Sequence, residues 1–252
     1  MDLGAVTAAP APVLAKGAVA AARNAHDLLQ DARILAGAGR AARACSLAAL
    51  AVEEAGKAGN LSFLAVMPAE VRERAPVGRM LEWHQLKQVG GLLIARVRLP
   101  VAARLAVMPA GDLDRLLSSL DAPADEADRL KRHGFYVDVD RKTAIREPSE
   151  ITEGAVNRQL TRAGQAVSET SALLEPEAPG LLVHSPPAGA VEFAQATVSA
   201  LAGTRHARTP EAAIDVIVNA ISTLRDIIAT KDAQNTPVPP QLRPLSHQLH
   251  AA

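Results

Sequence analysis

Aromatic side chains are almost missing from this chain of 252 residues: Phe63, Trp83, Phe135, Tyr136 and Phe193 are all it has. So few rings exclude the extended base-stacking surface of general single-strand binders. Cysteine is nearly absent as well. Cys45 alone rules out an internal disulfide framework, and its place in an uncharged run marks it as an unreactive core residue. An excess of either charge is also lacking, since Lys plus Arg and Asp plus Glu both total 27. That balance disfavours generic coating of nucleic acid and leaves room only for a local basic groove. No uninterrupted apolar run approaches the roughly 18 residues of a membrane span. Asp2 and the lack of a basic leader argue against a signal peptide, so the expected location is cytoplasmic. Neither a phosphate-cradling glycine loop nor a serine nucleophile elbow is present.

What the chain has in quantity is alanine, within an apolar content of 48%. Helical spacing of Ala18, Ala22, Ala25, Leu28, Leu29, Ala32 and Leu35 predicts a first helix over about 15–36, stopped by Gly37 and Gly39. A second follows over about 40–66, and the tight connection predicts an antiparallel hairpin. A third starts near Arg79 and is bent or ended by Pro100. Shorter helices are expected at about 112–120 and 125–133, the latter with Lys131, Arg132 and His133 in its last turn and Gly134 beyond it. Alternation over 135–145 predicts a short strand or hairpin, and Ser149 the N-cap of the next helix. The whole reads as an all-α antiparallel bundle with a hairpin-like insertion. Its expected divisions are a disordered N-terminus (1–14), a helical domain (15–174), a Pro/Gly-rich linker (175–189), a C-terminal helical extension (190–231) and a flexible tail (232–252).

The second helix carries the oddest chemistry. From Ala44 to Val52 it is uncharged, and then Glu53, Glu54 and Lys57 arrive without a loop signal. At about 100° per residue, Glu54 joins the stripe of Leu47, Leu50 and Leu61, while Glu53 and Lys57 share a neighbouring face. Charges in such a helix must be exposed, paired or functional. The spacing makes Glu53–Lys57 an exposed i,i+4 pair worth a few tenths of a kcal/mol. Glu54 is then expected to reach across to the third helix and orient a base there, as supporting carboxylates do.

That third helix opens Arg79-Met-Leu-Glu-Trp-His84 and continues to Lys87 and Gln88. His84, Lys87 and Gln88 share one face, so a base, a cation and an amide converge there. Arg79 lies about 140° away on a regular helix. It reaches the same ligand only if the first turn redirects it or if a second subunit supplies the matching His. Metal-free RNA cleavage needs these groups: an imidazole to take the 2′-hydroxyl proton and cations to stabilise the phosphorane. The plain alternative is a solvated Arg79 and an ordinary inter-helix hydrogen bond at His84. Weaker candidates are His26, Asp27 and Asp31, the alternating Asp138 and Asp140, and the basic Arg141, Lys142 and Arg146; solvated surface groups are the better reading of each, and no metal site is expected.

Several segments together resemble one family. Arg23-Asn24-Ala25 with Leu28, Leu29, Asp31 and Ala32 is similar to the opening helix of the AbiV abortive-infection proteins. Gly39-Arg40, Arg43-Ala44, Leu47-Ala48 and Glu53-Glu54-x-Gly56-Lys57 resemble their second helix. His84-x-x-Lys87, Gly134-Phe135-Tyr136-Val137-Asp138 and Pro148-Ser149-Glu150-Ile151 complete a likeness over about residues 19–170. The resemblance implies a HEPN-like helical bundle and a role in defence against phage. It implies a metal-independent endoribonuclease without cofactor, dimerising so that two Arg-x4–6-His motifs meet, here Arg79 and His84. Met80 departs from the polar residue often found after that Arg, which leaves His84, Lys87 and Glu54 better supported than Arg79; Glu53, Lys57 and Gln88 are supporting groups. The implied partners are a second copy of the chain, RNA and a phage or host protein that triggers it, with no membrane. Two other classes stay open: a non-catalytic helical adaptor, and a sensor that binds a small molecule in the bundle.

Overall fold

The computed structural model describes residues 8–67, 69–72, 87, 88, 91, 110–139 and 145–184. Helices α1 (Ala11–Gly37) and α2 (Ala41–Val66) form the hairpin that the sequence predicts. α1 begins inside the stretch expected to be disordered, because Pro10 and Pro12 suit a helix start, where an N–H would go unused. Gly39 turns the chain with φ +72°, a conformation a side chain would oppose. Around it Ala38 N–H bonds Ile34 O at 3.0 Å and Arg40 N–H bonds Leu35 O at 2.8 Å, so the last carbonyls of α1 are satisfied.

A single turn, α3 (Ala69–Arg72), follows. The buried Arg72 donates from Nη1 to Leu64 O at 3.1 Å and from Nη2 to Ala9 O at 2.9 Å, tying the end of α2 to the start of α1. Helix α4 (Ala110–Phe135) is continuous, where two helices separated near Pro123 were expected. Proline costs an interior hydrogen bond. The inward residues Ala124, Ala127, Leu130, Lys131 and Gly134 nevertheless keep helical spacing against α2, and that burial carries the helix on.

Strands β1 (Asp138–Val139) and β2 (Ile145–Arg146) pair antiparallel, Asp138 opposite Arg146 and Val139 opposite Ile145, as the only strands among the described residues. Pro148–Glu150 is then a 3₁₀ turn rather than the start of a helix. Ser149 donates to Glu147 at 3.2 Å, and Thr152 is the cap of α5 (Glu153–Thr170), accepting from Ala155 N–H at 3.3 Å. After a 3₁₀ turn at Ser171–Leu174, the expected linker contains helix α6 (Ala178–His184), beginning Ala178-Pro179-Gly180. Val183 of α6 packs with Leu173 and Leu174 against the α1–α2 core, which is what makes this Pro-containing stretch helical. The third predicted helix, apart from Lys87, Gln88 and Gly91, and the predicted extension and tail lie outside the described residues.

α2 is the central rod, in contact with α1, α4 and α5. One apolar cluster joins its C-terminal half to α1 through Leu14, Ala18, Leu61 and Leu64; the other joins its N-terminal half to Leu130 of α4 and to Ile151, Ala155 and Val156 at the start of α5. Cys45 sits in this second cluster, fully buried, and burial pushes its thiol up to about 11, followed in effect by the nearby Glu126 charge. The thiolate is the reactive form. Cys45 is therefore expected to be inert to a thiol-reactive dye in the folded protein and to react only as denaturant unfolds it; rapid labelling at neutral pH without denaturant contradicts this.

Candidate functional site

Small residues on α2 at Ala42, Ser46, Ala49 and Gly56 share one face with Glu53, the five spaced four, three, four and three apart. Neighbouring backbones come close along this stripe. A side chain at Gly134 would collide with Ala42 O and Ser46 Oγ, and one at Gly56 would collide with Lys87 O and stand 2.7 Å from Gly91 N. Ser46 Oγ donates to Lys131 O at 2.9 Å, supplying a partner for a carbonyl in the last turns of α4.

Within this tight seam lies one carboxylate. Glu53 has a side chain only 3% exposed, and its Oε1 accepts from Lys131 Nζ at 2.6 Å and from Gln88 Nε2 at 3.2 Å. Lys87 Nζ stands 3.8 Å from the other oxygen, Oε2. Gln88 is fully buried and also donates to Ala49 O at 2.9 Å. Asp128 lies at the edge of the cluster, 3.1 Å from Lys131 Nζ and 3.0 Å from Arg132 Nη2. A buried carboxylate is costly unless paired and hydrogen-bonded, and Glu53 is both.

This reverses the expected roles of the two glutamates. Among the described residues Glu54 meets Lys57, its two oxygens 3.4 Å from Lys57 Nζ on the same helix, an i,i+3 pair. Glu53 is not the exposed partner of Lys57 but the inward acid. The reason is the identity of the buried face. Leu47 and Leu50 are only partly buried, whereas Ala44, Ala48, Ala49, Ala51, Val52 and Ala55 are fully covered. Helices rich in alanine pack closest on their small-residue side, so Leu47 and Leu50 do not mark the interior of this half of α2, although Leu61 further along is buried.

Of the other sequence candidates, Lys87 and Gln88 join Glu53, and Arg79 and His84 lie outside the described residues. Lys131 was read as a helix-end cation and missed; the signal that reveals it is its helical register with Ala124, Ala127 and Gly134. His26 and Asp27 are exposed, 3.6 Å apart, and among the described residues no three His, Cys, Asp or Glu side chains cluster in a metal-binding arrangement. A separate ion cluster joins α4 to α5, where Glu126 meets Arg158 at 3.0 Å and Arg162 at 2.8 Å. Burial raises the Glu126 carboxyl, but hydrogen bonds and charge from Arg162 and Arg158 outweigh that and hold it below the usual carboxylate range. An open groove of about 590 Å³ lies away from both clusters, between Arg33 of α1 and Leu160, Gly164 and Ser168 of α5.

The seam thus unites three stretches of sequence, and its Glu53, Gly56, Lys87 and Gly134 are among the residues that carried the resemblance. The family model described as AbiV matches residues 13–168, from the first turn of α1 to the last turn of α5. The chain belongs to the AbiV family. No curated protein and no solved structure matches it. As an AbiV protein it belongs with the abortive-infection proteins that defend against phage, and its all-α bundle is HEPN-like. Among the described residues, no helix of this AbiV protein is long and apolar enough to cross a membrane.

Proposed function

We propose that this AbiV protein acts in abortive infection as a metal-independent endoribonuclease, with His84 as base and Lys87 and Arg79 as phosphate cations. The observation that supports this reading is the fixing of the residues just after His84. Gln88 bonds both α2 and Glu53, and Gly56 meets the backbone at Lys87 and Gly91. Lys87 and Gln88, three and four residues after His84 in sequence, are thereby held in place, and acid–base catalysis requires held groups.

In the proposed reaction the His84 imidazole removes the 2′-hydroxyl proton, and that oxygen attacks the adjacent phosphorus. The bond from phosphorus to the 5′-oxygen breaks, and the leaving oxygen takes up a proton. The products are a 2′,3′-cyclic phosphate and a 5′-hydroxyl end. The cations offset charge on the non-bridging oxygens. Glu53 stands beside Lys87 as a positioning group, and in this reading a second copy of the chain brings its own Arg79 and His84 to the site.

The test is cleavage of single-stranded RNA in the presence of a chelator, with the ends analysed. Wild type is expected to yield cyclic phosphate, and His84→Ala to fall by about a hundredfold or more. Equal rates in both eliminate His84 as the base. The near-complete burial of Glu53 and the 11% exposure of the Lys87 side chain favour a second reading, a non-catalytic adaptor that binds a phage or host protein. Absence of cleavage by wild type, with retention of phage defence by His84→Ala, supports the adaptor.

A further inference from the structure

Two ammonium groups compete for Glu53, and they do not share it equally. Lys131 holds Oε1 at 2.6 Å, within a strong charge-assisted hydrogen bond, while Lys87 stands off at 3.8 Å, beyond hydrogen-bond range. Glu53 also serves Gln88 and further contacts, so its lone pairs are heavily used. The only other carboxylate in the cluster among the described residues is Asp128, which is engaged by Lys131 and Arg132. Among the described residues two carboxylates therefore face three cations, and the cation with the longest pairing is Lys87.

A confined ammonium whose carboxylate partner stands beyond hydrogen-bond range, with that carboxylate's oxygens held by other donors, keeps capacity for a second anion. We propose that Lys131 is a positioning residue that saturates Glu53 and so keeps the Lys87 ammonium available to an anion, the phosphodiester of RNA. Naming the anion as RNA rests on the endoribonuclease reading; the presence of an anion site at Lys87 does not. Without Lys131, Lys87 has a short move to make onto Glu53, and the site neutralises itself. The lysine that arrives from 78 residues further along the chain thus decides what Lys87 is free to bind.

Four variants separate this from a purely structural role: Lys87→Ala, Lys131→Met, Lys131→Arg and the double variant Glu53→Gln/Lys131→Met. Each is checked for folding by circular dichroism, then titrated with a fluorescein-labelled single-stranded RNA over a range of salt. Lys87→Ala and Lys131→Met are each expected to weaken binding roughly tenfold, with the log–log salt slope reduced by about 0.7, the loss of one phosphate contact. Lys131→Arg retains binding. The double variant recovers it, because a neutral amide at position 53 no longer captures Lys87. A second arm measures thermal stabilisation by inorganic phosphate against sodium chloride of equal ionic strength: wild type and the double variant gain, and Lys87→Ala and Lys131→Met do not.

Folded Lys131→Met protein that binds RNA and phosphate like wild type overturns the proposal, as does a double variant no better than Lys131→Met in both arms. If no variant or wild type binds RNA but the phosphate pattern holds, the anion site stands and the endoribonuclease reading falls. Absence of the pattern from both arms removes the anion site.

Discussion

Glu53→Ala is expected to destabilise the folded protein by about 3–5 kcal/mol, because it leaves two buried ammonium groups without their common carboxylate. Lys131 retains Asp128 at 3.1 Å, but Lys87 is left with no carboxylate among the described residues. Gln88 loses one acceptor and keeps Ala49 O. Among the described residues the neighbouring Glu54→Ala breaks a half-buried i,i+3 pair at 3.4 Å on the same helix, and its cost is expected to be about 1 kcal/mol, well below that of Glu53→Ala. Chemical denaturation of the two variants side by side is the measurement. Equal midpoints, or a larger loss at Glu54, contradict the assignment of Glu53 as the inward acid. The contrast matters because the two residues are adjacent and chemically identical, so composition and charge are held constant between them.

Gly56→Ala is the second large effect. The added carbon collides with the backbone oxygen of Lys87 and approaches Gly91 N to 2.7 Å, and neither atom can rotate aside as a flexible side chain does. Separating the two segments costs roughly 1–3 kcal/mol, the usual range for overpacking. It also weakens the Gln88 bonds at 2.9 and 3.2 Å that hold the segment following His84. RNA cleavage is therefore expected to fall along with stability. Gly37→Ala is the control: nothing lies within 4 Å of the new carbon, and alanine is the better helix former, so that variant is expected to be neutral or slightly stabilising. A Gly56→Ala protein as stable as Gly37→Ala refutes the close approach.

Helix type and order were legible wherever periodicity was long. The α1–α2 hairpin, the short hairpin insertion and the helix after it follow from apolar spacing, from Gly37 and Gly39, and from turn residues near Pro148. The break expected between 120 and 125, and the linker expected over the Pro/Gly-rich stretch that includes 178–180, are both helical in the structure. Burial of Ala124, Ala127 and Leu130 on one side, and packing of Val183 on the other, outweighs the local penalty of proline and glycine. The site was legible in its parts. Lys87 and Gln88 were identified by helical spacing, and Glu53 was singled out together with Glu54, but their roles were exchanged.

The sequence by itself determined an α-helical AbiV bundle with one acidic pair inside an alanine-rich helix, since spacing and helix-forming composition act locally. Only the tertiary structure decided which of the two acids turns inward and which lysine meets it. That choice depends on how closely three backbones approach along Ala42, Ser46, Ala49 and Gly56, and on Lys131 arriving from a distant helix. Neither distance is a property of any one segment: the energy of burying a charge is set by the partners that happen to surround it.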